Sequence, residues 1–167
     1  MGAFRQFYLK GIELISKNLR HSVKEAKAGK PDSGREGMAL GQYIAGMGFS
    51  NVGLGIDHAM AHTLSAHYDT PHGVACAMLL PIAMEFNKPV AAKRLADVAV
   101  AMGVDTEGMD TESAADAAIE AVRKLSFDVG IPATCEGLTE ADLDQLASER
   151  CPMSAPRETP VTRAMRK

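Results

Sequence analysis

An all-α domain is the fold class this sequence predicts, on three observations. Apolar residues recur at three- and four-residue steps along most of the chain, glycines and prolines fall at the ends of those stretches, and no apolar/polar alternation is long enough for a strand. At 167 residues and 46% hydrophobic content, one domain spanning 1–167 is expected, with enough apolar side chains for a core.

The elements follow in order. Phe4, Tyr8, Ile12, Ile15, Leu19 and Val23 trace the apolar stripe of a long first helix, which Gly29 and Pro31 close. Ser33 with Glu36 three residues on has the pattern of a capping box. The helix it opens carries Gly37, Gly41, Ala45 and Gly48, a stripe of small residues that permits close helix contact. Gly48, Gly53 and Gly55 around Asn51 break that pattern, and a third helix is expected from about Gly55 to about Ala66. Thr70-Pro71 reads as a helix start, a capping hydroxyl before a proline at the first helical position, which puts His72 in a first turn. That helix is apolar through Val74, Met78, Leu79, Ile82 and Phe86, so it belongs at the centre, and Pro81 is expected to kink it. Further helices are expected at Pro89 to Met102 and Glu112 to Val129, stopped by Gly103 and Gly130. Thr139 and Asp142 open a shorter one through Leu143 and Leu146, and Thr159-Pro160 starts a last turn.

Charge excludes some functions. Charged residues make up 23% and nearly balance at a net −3, so no basic face argues for nucleic acid. No signal-peptide run opens the chain and no stretch approaches the roughly 20 consecutive apolar residues of a membrane span, so a cytoplasmic protein without a membrane partner is expected. Cys76, Cys135 and Cys151 are widely spaced, without a Cys-x-x-Cys pair, and read as reduced, small, buried apolar residues.

Four of the five histidines, His58, His62, His67 and His72, fall within fifteen consecutive residues. On a helix, His58 and His62 share a face with β-carbons about 6 Å apart, close enough to address one metal or one reacting group. His67 falls on the opposite face, whereas His72 opens the next helix and an antiparallel return brings it toward His58. Imidazole suits zinc, iron, copper and nickel. From spacing alone, a metal site and a pair of solvated or core histidines are equally good readings. His58-Ala59-Met60-Ala61-His62 lacks the glutamate a metalloprotease needs after its first histidine.

Three segments taken together, Gly46 to Gly55, His58 to His62 and Tyr68 to Ala75, resemble the iron-dependent (group III) alcohol dehydrogenases, with the lactaldehyde reductase branch nearest. The flanking Met38 to Tyr43 and Leu79-Leu80-Pro81 agree as well, and the likeness weakens after about Glu112. The resemblance implies the C-terminal helical domain of a dehydroquinate synthase-like, iron-dependent alcohol dehydrogenase. It implies a metal, Fe(II) or Zn(II), held by His58 and His72 among four ligands. It gives His62 a place beside the nicotinamide and a part in proton movement, gives His67 no ligand role, and sets Phe49 and Leu54 in the substrate pocket, although both are equally plausible as core. The implied substrates are small alcohols or aldehydes, with NAD(H) as hydride carrier.

The family's other two ligands come from an Asp-x-x-x-His segment, and no aspartate here is followed four residues later by histidine. Nor does Gly53-x-Gly55 precede a βαβ pattern able to hold a dinucleotide. NAD(H) is therefore expected only with a separate nucleotide-binding domain, and the chain by itself is expected to be inactive, either self-associated or completed in trans. A non-catalytic helical module for oligomerisation or metal binding is the alternative reading.

Overall fold

The computed structural model describes residues 2–30, 34–142 and 146. Among the described residues there are five helices, α1 (Gly2–Lys27), α2 (Arg35–Val52), α3 (Ile56–Tyr68), α4 (His72–Ala101) and α5 (Thr111–Val129), followed by a 3-10 turn at Glu140–Asp142. Among the described residues there is no strand. The fold is all-α, as the periodicity predicts.

α1 and α2 meet backbone to backbone along the small-residue stripe. A β-carbon added at Gly41 would stand 3.0 Å from Ile15 Cγ1 and 3.1 Å from Leu14 Cβ, and one at Gly48 would overlap the Tyr8 ring. The reciprocal small position on α1 is Gly11, whose β-carbon would lie 3.2 Å from the Gly41 carbonyl oxygen. α4 and α5 enclose the larger core, built from Met84, Leu95, Ala99, Ala115, Ala118, Ile119 and Val122. A smaller one joins α3 to the start of α4 through Ala61, Leu64 and Ala75, with Tyr68, Leu79, Cys135, Leu138 and Leu146 packed around it. α1 also reaches α5, where Arg20 Nε donates to Asp128 Oδ2 at 2.7 Å.

Several boundaries differ from expectation. α2 is capped by Gly34 with no side-chain hydrogen bond, and Ser33 lies outside the described residues. α4 takes Pro71 as its cap, again without a side-chain bond, so the Thr70 hydroxyl does not cap it and lies instead 3.4 Å from Cys135 Sγ. The two helices expected either side of Pro89 are one, for α4 runs unbroken through Pro81 and Pro89. A proline inside a helix removes one backbone bond, a cost a long, well-packed neighbourhood absorbs. α5 is as expected but for its start, where Asp110 Oδ1 accepts from the Ser113 amide at 2.7 Å. The segment at Thr139 begins as a 3-10 turn, Asp142 Oδ2 accepting from the Thr139 amide at 2.9 Å and its hydroxyl at 2.6 Å. Leu143 and Thr159-Pro160 lie outside the described residues.

By length and composition α4 could cross a bilayer, more than a search for uninterrupted apolar runs suggests. Its Ala75, Pro81, Ala83, Met84, Leu95 and Ala99 are buried, with α3 and α5 packed against it, whereas Leu80, Ile82, Phe86, Val90 and Val100 on the same helix are exposed.

Candidate metal centre

α2 stops at Gly53, whose φ of +79° ends the helix while its amide donates to the Phe49 carbonyl at 2.8 Å. Gly55 then caps α3, so Asp57 falls in the first turn with His58 beside it. α3 ends at Tyr68, and Asp69 in the left-handed region (φ +52°) turns the chain into α4, whose first residue is His72. That short connection brings the two helix ends together. The His72 ring centroid lies 5.5 Å from that of His58 and 4.9 Å from that of His62. His67 is exposed near the end of α3, its ring 6.5 Å from that of Tyr68, outside the cluster.

Two residues that sequence reasoning passed over complete the group. Cys76, one turn after His72 on α4, holds its Sγ 3.6 Å from His72 Nε2. The donor atoms of His58, His72 and Cys76 all lie within 4.8 Å of one another. Asp57 brings its Oδ2 to 3.7 Å from His58 Nδ1, and its Oδ1 is buried with no hydrogen-bond partner. The available signal was the four-residue interval from His72 to Cys76, the same spacing that singled out His58 and His62. The thiols at Cys76 and Cys135 are half-buried rather than fully buried, and Cys151 lies outside the described residues.

Burial pushes the Asp57 carboxyl up to about 6, against the opposing pull of His72 and the Cys76 thiol. Burial likewise pushes the Cys76 thiol up to about 11, helped by the carboxylate of Asp57, so without a cation it is a neutral thiol. His58 is held below its ordinary value by burial and by repulsion from His72 and His62. A neutral imidazole offers its lone pair, the form a metal needs. Imidazole nitrogens with a thiol and a carboxylate close by form a donor set that fits a divalent transition metal.

Phe49 and Leu54 are 48% and 38% exposed, at the end of α2 and in the loop after it. A groove of about 570 Å³ is walled by Phe7 of α1 and by Gln42, Tyr43, Gly46, Met47, Gly48 and Ser50 of α2, and neither Phe49 nor Leu54 forms part of that wall.

An all-helical domain with histidines from two adjoining helices brought together is the arrangement that the resemblance implies. The chain belongs to the Fe-containing alcohol dehydrogenase family, whose C-terminal sequence model matches residues 5–163. It is 50% identical to the lactaldehyde reductase of Escherichia coli (strain K12) over 157 residues, 90% of this chain and 40% of that one. It is 43% identical to the 1,3-propanediol dehydrogenase of Citrobacter freundii over 141 residues, 83% of this chain and 36% of the relative. The chain thus spans about 40% or less of the length of these curated relatives. Among solved structures, a 1,3-propanediol oxidoreductase superposes with a TM-score of 0.82 at 39% identity, over 89% of this chain and 38% of that one. An alcohol dehydrogenase from Oenococcus oeni superposes with a TM-score of 0.79 at 35% identity, over 95% and 43%. The family and the helical fold are those the histidine and glycine segments imply.

Proposed function

We propose that this chain, as a single helical domain over 1–167, is the metal-holding half of an NAD(H)-dependent oxidoreductase that interconverts small alcohols and aldehydes, of lactaldehyde reductase type. The observation that carries the reading is the convergence of the His58, His62 and His72 rings from two helices. The family and its named relatives support the substrate class.

His58 and His72 hold the metal, Fe(II) or Zn(II), each through a neutral imidazole nitrogen. When bound, the ion supplies Lewis-acid polarisation of a carbonyl oxygen, and NADH, held by a nucleotide-binding domain, supplies hydride. His62 faces the same point from an exposed position one turn along α3, and it delivers a proton to the substrate oxygen in the direction of aldehyde reduction. Phe49 and Leu54 lie on the side from which α2 runs into α3 and furnish apolar contact for a short alkyl substrate. The exposed apolar side chains Phe7, Leu40, Tyr43, Met47 and Phe49 favour association, with a second copy or with the nucleotide-binding domain. The free thiols of Cys76 and Cys135, the described cysteines, suit a cytoplasmic setting.

Metal content of the purified full chain tests the reading. His58→Ala and His72→Ala are expected to lose the metal and His62→Ala to keep it. Equal loss in all three variants, or a chain that takes up no divalent ion, refutes the assignment.

A further inference from the structure

We propose that Cys76 is itself a metal ligand in this chain, closing with His58 and His72 a site of two imidazoles and one thiolate that takes a thiophilic divalent ion such as Zn(II). The proposal rests on the reading that His58 and His72 hold a metal, and adds a donor that reading does not require. Its basis is geometric. A tetrahedral zinc, with sulfur at about 2.3 Å and nitrogen at about 2.0–2.1 Å, sets those two ligand atoms roughly 3.6 Å apart. Cys76 Sγ and His72 Nε2 stand 3.6 Å apart without any movement. Both lie on α4 one turn from each other, so the helix itself maintains the spacing. His58 comes from α3, and its donor atom lies within 4.8 Å of both others, a gap that a small rotation of a half-buried ring closes.

Cys135, the other described thiol, has different surroundings: the Thr70 hydroxyl at 3.4 Å and the Glu136 carbonyl at 3.8 Å. Only Cys76 among the described cysteines shares a donor cluster with histidines. On binding, the sulfur–metal bond forms as the S–H bond breaks, the proton passes to solvent, and no electron is transferred. A divalent ion deprotonates a coordinating thiol outright. The thiolate also shifts preference from oxygen-loving ions toward zinc and cobalt.

Titrating the reduced full chain with Co(II) tests this. Visible ligand-field bands report binding, and a near-ultraviolet sulfur-to-cobalt charge-transfer band reports a thiolate ligand. Both are expected in the unaltered chain. Cys76→Ser, and Cys76→Ala as a second variant, should keep the visible bands, lose the charge-transfer band and bind Co(II) more than roughly tenfold more weakly. Cys135→Ser should retain both bands. Visible bands that depend on His58 but come without a charge-transfer band, or such a band surviving in folded Cys76→Ser, would overturn the role of Cys76 and leave the histidine site standing. No cobalt bound at all overturns both.

Discussion

Placing one methyl group at two positions of α2 measures how closely α1 and α2 are packed. Gly41→Ala and Gly46→Ala gain the same helix propensity, roughly 1 kcal/mol, because both lie inside α2. Their surroundings differ. At Gly46 the nearest atom to the new β-carbon is Phe49 Cε1 at 4.0 Å, an ordinary contact, so the gain is kept. At Gly41 the methyl meets Ile15 Cγ1 at 3.0 Å, Leu14 Cβ at 3.1 Å and the Gly11 carbonyl oxygen at 3.4 Å. Two of those atoms are fixed by the backbone and the third sits on a stiff β-branched residue, so the helices must part. Overpacking of this kind costs about 1–3 kcal/mol, cancelling or exceeding the propensity gain. The two variants should therefore differ by about 2 kcal/mol, which for a domain of this size is roughly 4–8 °C in Tm. Thermal melts followed by circular dichroism provide the assay. If Gly41→Ala melts as high as Gly46→Ala, the backbones of α1 and α2 are not in contact and the small-residue stripe has no packing role.

Other outcomes follow from the cores and the site. Ile119, 4% exposed in the α4/α5 core, should cost about 2–5 kcal/mol when changed to alanine, read as a lower urea midpoint at unchanged slope. Asp57 titrates near 3.8 unfolded and about 6 folded, so between those values the folded chain binds the additional proton and folding weakens as pH rises. About two units correspond to about 3 kcal/mol, which solvent screening of a side chain still 16% exposed reduces to about 1–2. Metal-free Asp57→Asn should thus melt higher than the parent near about pH 7 and lose that advantage near about pH 4; an equal advantage at both would show that burial of the charge is not the cause. In the enzyme assembled with its nucleotide-binding domain, His62→Ala should lower kcat for aldehyde reduction by about 10²–10⁴-fold at unchanged metal content. A loss that follows metal content instead would make His62 a ligand.

What the sequence disclosed was mostly local. α1 and α5 were legible because three- and four-residue apolar steps run uninterrupted into glycines that close them. The stripe of Gly37, Gly41, Ala45 and Gly48 was legible as a contact surface, but not its partner, since nothing in the order of residues says that Gly11 and Ile15 of α1 lie opposite. Pro89 was misleading because proline is equally at home in a helix's first turn and, where packing compensates, in its interior. Burial of Ala99 and Leu95 against α5 decides between the two, and that is a tertiary fact. At the site, His58 and His62 announce themselves by a four-residue interval. His72 and Cys76 share that interval, but that Asp57 and Cys76 join one group is not legible, because a carboxyl and a thiol from different helices become neighbours only after the turn at Asp69 has folded α4 back along α3.

The unbroken length of α4 has a mechanical consequence. Thirty residues extend roughly 45 Å, and the two ends of that rod are anchored unequally. Its later half rests on the larger core with α5, whereas its first turns, which carry His72 and Cys76, rest on the smaller cluster, whose buried members among the described residues are only Ala61, Leu64 and Ala75. Opening at the histidine end therefore needs less free energy than opening at the far end, and amide hydrogens there should exchange first. An ion bridging α3 and α4 would act as a rivet at that end, so that loading the site and stiffening the domain become one event.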